Sequence, residues 1–209
     1  MEKHFLKTAL TTAAFLSVSV GAWAEEILLE GFRPKLTIHS DERLKGGVKR
    51  EFGYFKKNAD FYGALYVNLQ EDIAAEFWNA PNMAMAKQSA KKSCVLKSQD
   101  PSLCKLYATV GPKHPATGEG ITLSQTGNRY FKKYQQSQKA GKYGAFATSG
   151  YGAPGYSWGY ASEIEAKTSA IRACESKVEQ MNSDTSAHIV RNVIEAEDLT
   201  CRVIHVTKS

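Results

Sequence analysis

With 209 residues, 43% of them hydrophobic and 23% charged, the chain is long and apolar enough to bury a core, which excludes a disordered or low-complexity protein. Its formal net charge is +6, and because two of the 27 basic and one of the 21 acidic residues fall within positions 1–24, the remainder carries +5. Such an excess favours acidic partners and salt-dependent association, although it is also ordinary for a lysine-rich solvated surface.

The chain opens with an export signal. Lys3, His4 and Lys7 form a basic start, Ala9 to Val20 is an apolar run, and Ala22-Trp23-Ala24 fits a small-x-small cleavage site, so cleavage is expected after Ala24. The run is shorter than the roughly 20 apolar residues needed to cross a bilayer, and no later stretch is long enough, so no membrane span is expected. The predicted location is the periplasm or the cell exterior. Residues 25–57 follow as a charged extension in which Leu36-Thr37-Ile38-His39 reads as an edge strand and the rest as extended or partly mobile chain.

From residue 58 onward the chain repeats itself. Tyr62-Gly63-Ala64-Leu65-Tyr66 recurs as Tyr143-Gly144-Ala145-Phe146-Ala147, Trp78 as Trp158, and Ser89-Ala90-Lys91-Lys92-Ser93-Cys94 as Ser169-Ala170-Ile171-Arg172-Ala173-Cys174, with Trp and Cys 16 residues apart in both copies. A closing element also recurs, Cys104 to Ala108 against Cys201 to His205. Each copy reads as strand, turn, strand, helix, strand. In the first, Phe61 to Asn68 is the opening strand and Asn82 the helix cap, with Ala86, Ala90 and Cys94 every four residues on one face. In the second, Tyr143 to Thr148 and Tyr156 to Tyr160 are strands, Ser162 and Glu165 form a capping box, and Ala166, Ala170, Cys174 and Val178 mark the buried helix face. The predicted organisation is 1–24 signal, 25–57 extension, 58–110 first repeat, 111–142 a Gly, Pro and Thr-rich connector, and 143–209 second repeat. The predicted fold is α+β, two pseudo-repeats that each pack a small antiparallel sheet against one disulfide-tied helix, sharing a core because about 80 residues alone would be marginal.

Cys94, Cys104, Cys174 and Cys201 are the only cysteines, and an even count in an exported chain points to two disulfides, with three connectivities open. A zinc site competes for four thiolates, but there is no Cys-x-x-Cys pair. The repeat selects Cys94 with Cys104 and Cys174 with Cys201, since a helix that returns as a strand brings its terminal cysteine to the one that opens the strand. No cofactor or metal is expected.

These motifs, above all Tyr143-Gly144-Ala145-Phe146-Ala147, Gly155-Tyr156-Ser157-Trp158-Gly159-Tyr160 and the spaced alanines from Ala166 through Cys174 to Cys201, resemble exported bacterial proteins of the domain of unknown function 4189. In the first copy Phe77-Trp78-Asn79-Ala80 replaces the Gly-Tyr hairpin. The resemblance implies an exported accessory domain and assigns no catalytic residue.

Chemistry is sparse. There is no His-Glu-x-x-His, no Gly-x-Ser-x-Gly and no Gly-Lys-Ser/Thr phosphate loop. Among the scattered histidines His39, His114, His188 and His205, His205 reads as a satisfied structural group and His114 as solvent-facing. Glu71-Asp72 and Glu197-Asp198 are sequence neighbours whose side chains point apart. Lys87, Lys91, Lys92 and Lys97 alternate with alanine and serine rather than with base-stacking aromatics, so no nucleic-acid partner is expected. Recognition potential concentrates in the hairpin Gly150 to Tyr160: Tyr151, Tyr156 and Tyr160 are the candidate contact residues, with Trp158 assigned to the core, and Lys132 and Lys133 supply a basic stretch. The leading expectation is non-catalytic binding to a protein partner, as an inhibitor, immunity or adhesion component. The alternative is binding of peptidoglycan or another acidic glycan, and a third is a hydrolase whose site assembles only on folding.

Overall fold

A strand covered on both faces must be apolar along its whole length, and two such strands organise this molecule. The computed structural model describes residues 26–184, 192–194 and 196–209; the signal segment and His188 lie outside them. In chain order the elements are β1 (Ile27–Leu28), β2 (Pro34–Ile38), α1 (Gly46–Asn58), β3 (Gly63–Asn68), β4 (Ile73–Phe77), α2 (Met83–Lys97), β5 (Lys105–Pro112), β6 (Ile121–Thr122), α3 (Gln125–Ser137), β7 (Tyr143–Ser149), β8 (Pro154–Tyr160), α4 (Glu163–Asp184) and β9 (Cys201–Lys208). They form an α+β protein with two antiparallel sheets, ordered β2-β5-β3-β4 and β8-β7-β9, and a short parallel pair β1-β6. No helix among the described residues is long and apolar enough to cross a membrane.

In the first sheet, Leu65 and Val67 of β3 meet Val48 and Phe55 of α1, while Ala64 meets Ala86 and Ala90 of α2. In the second, Ala145 and Ala147 of β7 meet Ala166, Ala170 and Cys174 of α4, while Phe146 meets Phe131 and Tyr134 of α3. Each sheet thus has small residues toward one helix and large ones toward the other. The small-residue side brings α2 and α4 close, and each of these helices is stapled to the strand that follows it. Cys94 bonds Cys104 and Cys174 bonds Cys201, the pairing expected from the sequence, with Cα atoms 6.0 and 6.1 Å apart. Their caps are local: Asn82 accepts from Met85 N (2.9 Å), and Ser162 Oγ accepts from Glu165 N (3.3 Å) while its hydroxyl donates to the Glu165 carboxylate (3.0 Å).

Two helices fall where extended chain or connector was expected. In α1, within the N-terminal extension, Val48, Phe52 and Phe55 recur at helical spacing, but the cap is remote: Asp72 in the β3–β4 turn accepts from Gly47 N (2.7 Å) and Val48 N (2.9 Å). These amides, Val48 first, hold the Asp72 carboxyl below its ordinary range. In α3, within the 111–142 stretch, Ser124 accepts from Gly127 N at 3.0 Å. The beginning of α3 ties the sheets together, since Gln125 N donates to Phe61 O (3.0 Å) and Ser124 Oγ to Gly152 O (3.2 Å).

Gly155 lies under α4 so closely that a Cβ there would collide with Cys174 N and Ala170 O and sit 2.7 Å from Cys174 Cα. Gly155→Ala should therefore lower stability by about 1–3 kcal/mol or more, as overpacking against backbone does. Gly53→Ala, in α1 with nothing within 4 Å of the added methyl, should raise it by up to about 1 kcal/mol. Urea unfolding of both variants checks the contrast. Replacing each cysteine pair by serine should cost about 2–4 kcal/mol, with the longer Cys174–Cys201 loop (27 residues against 10) contributing on the order of 1 kcal/mol more; the same unfolding experiment reads the order.

Candidate functional site

Close packing against α4 decides which side of β8 is available for recognition. Gly155 and Ser157 face the helix, where Ser157 Oγ donates to Ala166 O at 2.7 Å. Strand alternation then turns Tyr156 and Trp158 to the opposite face, beside α3. There Tyr156 stacks on Trp158, with ring centroids 5.4 Å apart and planes 25° from parallel, and receives Tyr130 edge-on at 5.8 Å. Trp158, assigned to the core from its recurrence with Trp78, is instead 42% exposed. Trp78 follows β4 and is partly buried against the first core. The expectation failed because small residues, not the indole, occupy the positions under α4.

The other candidates separate. Tyr151, expected at the surface, is 7% exposed: its ring packs on Phe77 (5.5 Å) among Ala86 and Ala90, and its amide donates to Asp198 O (2.6 Å). The β7–β8 turn thus inserts an aromatic ring into the trough that the alanines of α2 leave, which joins the two halves in one core. Tyr160 turns toward α4 and donates its hydroxyl to Ser169 Oγ at 2.8 Å. On α3, Phe131 and Tyr134 face the sheet, so steps of about 100° per residue put Lys133 beside Tyr130 and Lys132 on the other flank. Lys133 Nζ indeed lies 5.7 Å from the Tyr130 ring, and Lys132 Nζ lies 5.6 Å from Phe32, a separate exposed pair. The stem of Lys139 runs alongside Gly159, 3.5 Å from where a Cβ would be. One surface therefore joins Tyr130, Tyr156 and Trp158 with Lys133 and Lys139. Tyr130 escaped the sequence reading, whereas Lys139 belongs to the basic stretch that runs from Lys132 through Lys139 to Lys142. The signal for the face was the alternation of small Gly155 and Ser157 with aromatic Tyr156 and Trp158.

Beneath this surface His205 Nδ1 shares a hydrogen bond with Tyr134 Oη (2.9 Å), and its ring meets Phe131 edge-on at 5.4 Å. Burial lowers the imidazole pKa and pushes the Tyr134 phenol up to about 12, so both are neutral at pH 7. His114 is exposed, and His39 Nε2 bonds Thr109 Oγ1 at 2.8 Å. Glu71 and Asp72 diverge: Glu71 accepts from Gln99 N and Asp100 N at 2.8 and 2.9 Å, while Asp72 caps α1. Among the described residues no three His, Cys, Asp or Glu side chains cluster to hold a metal ion. The arrangement suits contact with a flat, partly apolar ligand carrying negative charge.

Because His205 titrates lower in the folded chain than in the unfolded chain (ordinary value about 6.5), the unfolded state binds more protons in the interval between, and stability should fall as pH drops through about 6.5. His205→Gln should flatten that slope, measured as the change in urea midpoint between pH 7.5 and 5.5.

The chain matches no protein-family model, no curated protein and no solved structure.

Proposed function

We propose that this is an exported, non-catalytic binding protein whose contact face is the Tyr130, Tyr156 and Trp158 surface with Lys133 and Lys139, and whose ligand is an anionic glycan of the cell envelope. The observation that carries the reading is the exposed Trp158 ring stacked on Tyr156. A flat aromatic platform on a rigid strand offers apolar faces to sugar rings at little entropic cost. Lysines flanking it suit carboxylates, whereas lysine is depleted from protein–protein contact cores, which weighs against the protein partner that leads from sequence alone. The net charge of +5 on the residues after position 24 is consistent with an acidic ligand. Binding is favoured over turnover because His205 lies beneath the exposed rings with its Nδ1 tied to Tyr134 Oη.

Two broader readings belong to the same proposal. The first is that β3-β4-α2-β5 and β7-β8-α4-β9 are copies of one unit, related to the domain of unknown function 4189. It is supported by the shared order of elements, the central place of the first strand in both, and the helix-to-strand disulfide in each. The second is export, supported by the pairing of all four cysteines, which fits an oxidising compartment.

Trp158→Ala should weaken binding of purified wall-polymer fragments about tenfold, roughly 1.4 kcal/mol, while leaving the unfolding midpoint near the parent value because the ring is half solvated. Calorimetric titration at low and high salt reads this, with affinity falling as salt rises. Unchanged affinity in Trp158→Ala would refute the contact face. Salt-resistant capture of one protein at equal stoichiometry, with no affinity for wall fragments, would replace the glycan by a protein partner.

A further inference from the structure

A second surface lies on the other sheet. β4 is one of its two outer strands and, among the described residues, is hydrogen-bonded to β3 alone. Beyond its free edge opens a cleft of about 660 Å³, walled by α1 on one side of the sheet plane and α2 on the other and reaching Arg50, Glu51, Ala74, Glu76, Ser93 and Lys97. The helices cover opposite faces, so the cleft prolongs the plane of the sheet, where a further strand would sit about 4.8 Å from β4. The Ala74 carbonyl points into it and, among the described residues, meets only the long contact of Lys97 Nζ at 3.4 Å. In an antiparallel pair the N–H and C=O of one residue point to the same side and the direction repeats every second residue, so Ala74 and Glu76 both offer their backbone outward.

The side chains in the cleft are also incompletely satisfied. Glu76 is opposite Leu65, which faces α1, so its carboxylate stands on the α1 side. The neighbouring Trp78 side chain favours the charged carboxylate, yet Oε2 is buried without a hydrogen-bond partner among the described residues. On the α2 side Ser93 Oγ, in a residue only 2% exposed, also lacks one among the described residues. Glu51 of α1 presses its charge on Glu76, Lys97 of α2 partly offsets it, and Arg50 is drawn to Asp72 instead.

We propose that the free edge of β4 is a docking site for an extended segment of a partner protein, added as a strand, with basic side chains toward Glu51 and Glu76 and small polar ones toward Ser93. Backbone bonds to Ala74 and Glu76 supply affinity in this mode and alternate side chains supply specificity. Lys97 covers the edge in the free protein and yields to an incoming amide. A second copy of this chain fits poorly, because pairing two β4 edges would bring both Glu51–Glu76 pairs together.

The test uses the oxidised full-length protein and a capped nine-residue peptide of alternating lysine and serine, with a glutamate-for-lysine version as control. The lysine peptide should bind at least tenfold more tightly, and hydrogen exchange should show new protection at the Ala74 and Glu76 amides. The double variant Glu51→Gln, Glu76→Gln should lose about tenfold in affinity with its unfolding midpoint retained. Lys97→Ala should bind more tightly. Trp158→Ala should bind this peptide normally, which separates failure here from failure of the glycan reading. Equal binding of the two peptides, or binding without protection at residues 74 and 76, would overturn the proposal. Dimerisation of Lys97→Ala in sedimentation would do the same by making the occupant a second copy.

Discussion

Everything in this fold depends on how closely α2 and α4 lie on their sheets. Alanine every fourth residue removes side-chain bulk from one helix face, and alanine or glycine on the facing strands removes it from the other. The remaining gap is narrow enough that backbone meets backbone at Gly155. Such contacts bury little apolar area per residue, so they hold only if the helix cannot lift. The disulfide at each helix supplies that restraint by tying it to the returning strand, which forms the same sheet.

The exposed aromatic surface follows from this asymmetry. A face packed against alanine has no room for an aromatic ring, so rings on β8 turn the other way, and α3 crosses that face without covering Trp158. Tyr134, Phe131 and His205 form the floor that holds the exposed rings in place. Among the described residues the first sheet has no exposed counterpart to the stacked pair, because Trp78 is spent on its core.

What could be read from the sequence was local. Asn82 and Ser162 announce helices because their cap partners lie three residues on, and the alanine and cysteine spacing marks the buried faces. Where the partner is distant, reading failed. The start of α1 carries Gly46-Gly47 and no capping side chain of its own, since Asp72 arrives from 24 residues away. Tyr151 sits in a Gly- and Pro-rich turn, composition that signals solvent, and only the tertiary arrangement shows that this turn lands on α2. The exposed face was half legible: the candidate tyrosines were named, but their sides of the strand depend on which neighbours are small.

The remote cap of α1 has a consequence for the order in which the chain acquires structure. Residues 46–58 are synthesised before residue 72, and their amides at Gly47 and Val48 have no side-chain partner until the turn after β3 closes over them. The first helix of the described residues is thereby made contingent on a hairpin that follows it. A chain threading head first through a narrow passage would keep this segment pliant until its successor had emerged.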